Sequence, residues 1–313
     1  MKKSYILLAA ALILAAACTK ESSETVLRFR VDVSEPAETK ATIARDGEGL
    51  KFAWEADDVL CLNFEQGGMW YSADAAISSF SGPSAEFTVT LPSGIDGSNP
   101  FNVYAMYQKI QKWSLAQNRK WDSDGVFQFV KTESSGVTLD KGSDAEDVRN
   151  LDFMRPALFG KQETVTSSTL TSFTLEHLGW VMCVHLRNKS GAVMNVPYGL
   201  IVKGSSDIFM ASANPFYYIA TGPYINTWSC SFDLNRSNHY WEGKTIDNGS
   251  EEMFYRWIVS VGDLPALTVQ MDPTSADGDN IDATTQLPAK TVFPGKMYHV
   301  YLNWDGTNLT LGK

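Results

Sequence analysis

The stretch VLRFRVDV, residues 26–33, places an apolar side chain at every second position. Because successive side chains of a strand point to opposite faces of a sheet, this period of two predicts a half-buried β-strand. Leu27, Phe29, Val31 and Val33 would face a core, and the charged residues between them would face solvent.

The same alternation returns in four later stretches, residues 87–91, 257–261, 267–271 and 298–304. Turn signals rich in Asp-Gly and Gly-Gly separate the apolar runs, and no long segment sustains a helical period. Many short strands at close spacing are typical of sandwiches or barrels. The sequence therefore predicts an all-β fold.

The chain length favours two domains, because 313 residues exceed what one hydrophobic core usually serves. A Ser/Thr cluster at residues 164–169 precedes a new apolar run from Phe173 to Leu186. We place the boundary there, with an N-terminal domain at 26–165 and a C-terminal domain at 166–313.

The first 17 residues have the pattern of a bacterial export signal. Lys2 and Lys3 precede an apolar run, Tyr5–Ala17, which is too short to span a membrane, and small residues lead to Cys18. The stretch resembles a lipobox, which would make Cys18 the lipidated first residue of the mature protein. An ordinary secretory signal is the alternative. Residues 18–25 would form a polar tether.

The formal net charge of −10 argues against nucleic-acid binding, which depends on clustered Lys and Arg. Beyond Cys18 the cysteines are Cys61, Cys183 and Cys230. An odd number permits one disulfide and a free thiol, or three buried thiols. We expect buried thiols, since Cys61 and Cys183 lie in apolar runs.

Catalytic and metal-binding motifs are not apparent in the sequence. It has no Gly-x-Ser-x-Gly elbow and no nucleotide fingerprint. Cys183 and His185 with His177 suggest a metal cluster, but strand rise puts His177 about 20 Å or more away. We therefore interpret the histidines as satisfied core or surface residues, and we expect no enzyme activity, no metal and no cofactor.

Aromatic residues in polar surroundings are a second signal. Trp113 and Trp121 lie in a loop-rich region, residues 108–150. Aromatic faces beside hydrogen-bonding side chains suit glycans and protein partners alike, although such rings also cap strand ends. Trp113 and Trp121 are thus candidate glycan or partner contacts, and a glycan-binding lipoprotein of a polysaccharide-uptake system is the alternative function.

Five stretches resemble the fimbrillin-like lipoproteins of Bacteroidetes, relatives of the major and minor fimbrial subunits. They are Glu38–Thr42, Phe52–Leu60, Phe101–Tyr107, Phe173–His177 and Phe293–Tyr298, with Phe173–His177 matching the opening of the second domain.

Within these stretches five residues have predictable structural roles. Trp54 and Tyr104 would be core aromatics, Asp58 would fix a turn, and His177 would hydrogen-bond at a strand edge. Gly295 would supply a positive φ.

The resemblance implies two tandem transthyretin-like (Greek-key) β-sandwich domains in a surface lipoprotein of the outer membrane. It implies a fimbrial (pilus) subunit or an accessory adhesin, with other fimbrial subunits or surface ligands as partners. In assembling members an arginine-directed protease removes the first strand, and a neighbour's strand replaces it. Here residues 26–33 would be removed by a cut at Arg45, and Met297–Leu311 would supply the donor.

Overall fold

The computed structural model describes residues 24–34, 48–49, 52–108, 120–121, 124–128, 157–197, 200–210, 217–219, 224–225, 228–234, 245–260, 263–271 and 283–312. Within these ranges every regular element is a β-strand. No helix in this described part of the chain is long and apolar enough to cross a membrane.

The strands fall into two groups along the chain. The first ten are β1 (Val26–Val33), β2 (Glu48–Gly49), β3 (Val59–Gln66), β4 (Met69–Ser81), β5 (Ser84–Thr90), β6 (Phe101–Gln108), β7 (Lys120–Trp121), β8 (Val126–Gln128), β9 (Ala157–Val165) and β10 (Ser172–His177). The rest are β11 (Trp180–Asn188), β12 (Met194–Asn195), β13 (Leu200–Lys203), β14 (Phe209–Met210), β15 (Tyr217–Ile219), β16 (Tyr224–Ile225), β17 (Trp228–Ser229), β18 (Ser231–Leu234), β19 (Thr245–Ile246), β20 (Glu251–Ile258), β21 (Leu267–Met271), β22 (Thr284–Leu287), β23 (Lys296–Trp304) and β24 (Leu309–Leu311).

Seven strands of the first group form a closed sheet in the order β1-β10-β9-β6-β3-β4-β5. The sheet closes because β5 pairs with β1 along seven residues. Apolar side chains from all seven strands fill its interior. Strand β1 shows the predicted alternation, with Leu27, Phe29, Val31 and Val33 all 5% exposed or less.

A second core lies between two sheets, which are built by strands of the second group together with β2. One has the order β2-β23-β11-β20, with β24 attached to β23, and the other has the order β18-β13-β21-β22. Side chains at alternate positions of both sheets share a single hydrophobic cluster. In β11 and β23 the even-numbered residues face this cluster, so the odd-numbered residues lie on the outer face.

The closed sheet extends past the predicted domain boundary at residue 165. Strand β10 pairs parallel to β1 and antiparallel to β9, and Phe173 and Leu175 belong to the first core. The apolar run from Phe173 to Leu186 is thus two strands in different sheets, separated near Gly179. The first sheet therefore ends at His177, within the range that the sequence suggested for the second domain.

A small sheet, β16-β15-β8-β7, joins segments that are distant in the chain. Trp121 on β7 and Phe127 on β8 are buried, with ring centroids 5.2 Å apart. The Trp121 ring nitrogen donates a hydrogen bond to the carbonyl oxygen of Cys61 on β3, at 3.0 Å. This sheet therefore packs on the outer side of β3.

Four of the five predicted structural roles are confirmed. Trp54 and Tyr104 are buried, at 2% and 3% exposure. Asp58 fixes its turn by accepting the Glu55 backbone N–H at 2.7 Å, and Gly295 has a φ of 73°. The expectation for the fifth residue, His177, is wrong: its side chain is buried, and neither ring nitrogen has a hydrogen-bond partner among the described residues.

Two further expectations need correction. The alternation at residues 257–261 predicted a strand there, but β20 runs from Glu251 to Ile258, and Ser260 makes only an isolated bridge to Phe209. Cys61, Cys183 and Cys230 form no disulfide with one another, yet only the first two are buried. Cys230 is exposed because it lies in the bend between β17 and β18 rather than inside a strand.

Candidate functional site

The first candidate site is the channel that β1 occupies between β5 and β10. Val26 to Asp32 pair antiparallel with β5, while Arg30 to Val33 pair parallel with β10. Removing β1 would therefore open the closed sheet and leave two strand edges with unpaired backbone groups. We call this channel the β1 groove and define it by β5, β10 and the side chains of Phe87 and Phe173.

Aromatic packing anchors β1 in this groove. The Phe29 ring lies edge-on to Phe173, with centroids 5.3 Å apart, and stacks near Phe87 at 6.3 Å. Trp54 packs edge-on against Phe87 at 5.1 Å, and its ring nitrogen donates to the carbonyl oxygen of Pro83. Burial of the four apolar side chains of β1 contributes about 6–12 kcal/mol, at roughly 1.5–3 kcal/mol each. The groove thus requires a strand of this pattern.

The solvent face of β1 adds little to this binding. Arg30 donates to both carboxylate oxygens of Asp32, and the hydroxyl of Ser84 donates a short hydrogen bond to Asp32. The Arg30 hydrogen bond lowers the pKa of the Asp32 carboxyl. Because these groups are largely exposed, the ion pair is screened by solvent. Specificity for β1 therefore lies in its buried face.

Only one of the four predicted site residues, Trp121, is among the described residues. Cys18, Arg45 and Trp113 fall outside the described residues. Arg45 belongs to the segment 35–47, which links β1 to β2. Trp121 is described, and its ring is 3% exposed. Burial of this side chain gives no support to a glycan contact at Trp121, which stays a prediction.

The predicted donor segment also has a defined place. Strand β23 pairs with β11 along eight residues and carries β2 and β24 on its other side. Its inward side chains, such as Leu302 and Trp304, belong to the second core. Extracting β23 would dismantle the second core, so β23 is a poor donor strand. Of the predicted donor Met297–Leu311, only β24 lies at the edge of its sheet and could leave without this cost.

A second candidate site was not predicted from the sequence. Cys183, His185 and His299 come together on the outer face of β11 and β23. In the sequence, the histidine nearest to Cys183 and His185 is His177, which was considered with them and rejected on distance. His299 is 114 residues from His185 and reaches it through the parallel pairing of β11 with β23.

Comparisons with known proteins gave likenesses only among solved structures. No family model matches the chain. No curated protein sequence matches it.

Three crystal structures illustrate the likeness. A candidate cell adhesion protein from Bacteroides ovatus is 14% identical, with a TM-score of 0.46, covering 93% of this chain and 96% of that one. A fimbrial assembly protein from Parabacteroides distasonis is 12% identical, with a TM-score of 0.37 and coverages of 92% and 94%. A candidate polysaccharide-binding protein from Bacteroides thetaiotaomicron is 8% identical, with a TM-score of 0.40 and coverages of 89% and 91%. At these TM-scores, the function of this chain has to be argued from its own residues.

Proposed function

We propose that this protein is a surface lipoprotein that acts as a fimbrial subunit or accessory adhesin, and that it assembles by exchange of β1. Its two cores would belong to two tandem transthyretin-like sandwich domains, the first ending at His177. The observation that carries the proposal is the position of β1, an N-terminal strand that completes a closed sheet.

The position of Arg45 suits a processing cut. It lies between β1, which belongs to the first sheet, and β2, which pairs with β23 of the second core. A cut there would leave β1 held only by noncovalent contacts, while β2 stayed with the body of the protein. Arg28 and Arg30 are poorer substrates because their backbone is paired within the sheet.

An open groove would then accept a strand from another copy or another subunit. An extended segment supplies main-chain hydrogen bonds to both edges, and its alternate apolar side chains fill the space left by Leu27, Phe29, Val31 and Val33. The entropy of ordering the incoming strand opposes binding, and the apolar burial of about 6–12 kcal/mol offsets it.

Treatment of the purified protein with an arginine-specific protease tests this proposal. We expect a cut at Arg45, followed by oligomers that resist detergent and dissociate on boiling. The matched control is Arg45→Ala, which should remain monomeric under the same treatment. Complete cutting at Arg45 with no oligomer would contradict assembly by strand exchange.

The anchor is tested separately through Cys18. We expect labelled palmitate to be incorporated into the full chain expressed in a Bacteroides host and not into the Cys18→Ser variant. Protease added to intact cells should degrade the anchored protein if it faces outward. Absence of label from the unaltered chain would overturn the lipoprotein assignment and leave the groove argument intact.

A further inference from the structure

The residues Cys183, His185 and His299 form a compact donor set outside the groove. One ligand atom from each lies within 4.8 Å of the other two. The Nε2 atom of His185 is 2.8 Å from Nδ1 of His299 and 3.6 Å from Sγ of Cys183. From this geometry we propose that the three side chains form a binding site for a transition-metal ion, Zn²⁺ or copper.

The distances suit such an ion. Bond lengths of about 2.3 Å to sulfur and about 2.0–2.1 Å to nitrogen put tetrahedral S···N pairs roughly 3.6 Å apart and N···N pairs roughly 3.4 Å apart. The Sγ···Nε2 distance already has this value. The two imidazole nitrogens are closer than this because they share a hydrogen bond. Their distance would have to increase by about 0.6 Å to admit the ion.

The strand register explains why the cluster is preorganised. Cys183 and His185 lie two residues apart on β11 and therefore share its outer face. His299 is the register partner of Cys183 on β23, so its ring projects from the same face. The His185 ring also stacks on Tyr301, with centroids 4.5 Å apart and planes 19° apart. Three ligands on two hydrogen-bonded strands need little reorganisation to bind.

A carboxylate orients the central imidazole from behind. Oε1 of Glu251 on β20 is 3.3 Å from Nδ1 of His185, and its Oε2 accepts a hydrogen bond from Arg187 at 2.8 Å. A carboxylate in this position can accept a hydrogen bond from Nδ1 and leave Nε2 facing the cluster, as in metal sites with a carboxylate–histidine pair.

The donor types narrow the choice of ion. One thiol and two imidazoles exclude Ca²⁺ and Mg²⁺, which prefer oxygen ligands. Zn²⁺ takes mixed sulfur and nitrogen ligands, and two histidines with one cysteine also form the trigonal set of many copper sites. Three protein ligands leave a fourth position open.

Binding also has a proton balance that can be measured. The thiol of Cys183 must lose its proton to ligate as a thiolate. The hydrogen shared by His185 and His299 need not leave, because it can move to the other nitrogen of His299. We therefore expect release of about one proton per ion near neutral pH, and weaker binding as the pH falls.

Titration of the metal-free protein with Co²⁺ tests the site. The unaltered chain should bind one ion and show a thiolate-to-cobalt charge-transfer band, and Zn²⁺ or Cu²⁺ should remove that band by competition. The band should be lost in Cys183→Ser and in His299→Gln. The matched controls are Cys61→Ser, another buried thiol, and Cys230→Ser, an exposed one, and both should retain it.

Glu251→Gln tests the site independently of its ligands, since Glu251 is a positioning residue that orients His185 and does not itself bind the ion. It should retain the band with about 10–100-fold weaker Zn²⁺ affinity. Circular dichroism of each metal-free variant separates loss of binding from loss of fold. Absence of a band in the folded unaltered protein, or a band that survives in Cys183→Ser, would overturn the proposal and show a hydrogen-bonded cluster only.

Discussion

The ring of Phe29 on β1 meets the ring of Phe173 on β10 edge-on, with centroids 5.3 Å apart and planes at 65°. This contact joins the first strand of the closed sheet to its last one in sequence. It lies at the centre of the β1 groove, where Phe29 is 1% exposed. The stability of the groove and the affinity for β1 should therefore depend on this pair more than on any charged residue of β1.

Truncation of Phe29 tests that dependence. Phe29→Ala should lower the free energy of unfolding by about 3–5 kcal/mol, because it removes a buried ring and leaves a cavity. Arg28→Ala, on the solvent face of the same strand, should change it by no more than about 0.5 kcal/mol. Urea denaturation measures both, and equal effects would show that the buried face does not dominate.

Burial of His177 predicts a dependence of stability on pH. Desolvation lowers its pKa from 6.5 to about 4 in the folded protein. Between these values the unfolded chain binds a proton that the folded protein does not. Stability is therefore fully present above about pH 6.5 and falls by about 3 kcal/mol as the pH approaches 4.

The variant His177→Leu isolates this contribution. Its free energy of unfolding should lack the His177 component, so the difference between the two proteins should change by about 3 kcal/mol from pH 6.5 to 4. The carboxylates titrate alike in both proteins, so their contributions cancel when the two free energies of unfolding are subtracted. Parallel pH profiles would mean that His177 gains a proton without cost in the folded state.

The position of Trp121 predicts a structural effect when it is changed. Trp121→Phe removes the hydrogen bond to the Cys61 carbonyl and part of a buried ring, so it should cost about 1–3 kcal/mol of stability. Any fluorescence response of the protein to added polysaccharides should persist in this variant. Loss of such a response in a variant that remains folded would instead make Trp121 a glycan contact.

The alternation of apolar and polar residues predicted the strands well where one face of the strand is buried and the other is exposed to solvent. The alternation at residues 26–33 corresponds to β1, and that at residues 267–271 corresponds to β21, in each case over the full stretch. At residues 257–261 only the first two residues belong to a strand, since β20 ends at Ile258, and residue 261 lies outside the described residues. Periodicity does not show where pairing with a neighbouring strand ends.

Long-range pairing explains what the sequence could not predict. The apolar run after residue 172 has one composition, but β10 joins the first sheet and β11 the second. The cluster at Cys183 also depends on long-range pairing, since the pairing of β11 with β23 brings His299 to it from 116 residues away. A single sequence contains neither register, so the only third residue it suggested near Cys183 was His177, which was rejected on distance, and His299 was missed.

The departure of β1 is tested most directly by a reversible lock. Arg28 on β1 and Thr88 on β5 are register partners on the outer face of the closed sheet. Arg28→Cys with Thr88→Cys should form a disulfide, and adding Cys230→Ser removes the exposed native thiol. With the disulfide formed, an arginine-specific protease should cut at Arg45 without producing oligomers, and reduction should then release β1 and restore them. Oligomers that form equally well with the disulfide intact would contradict assembly by exchange of β1.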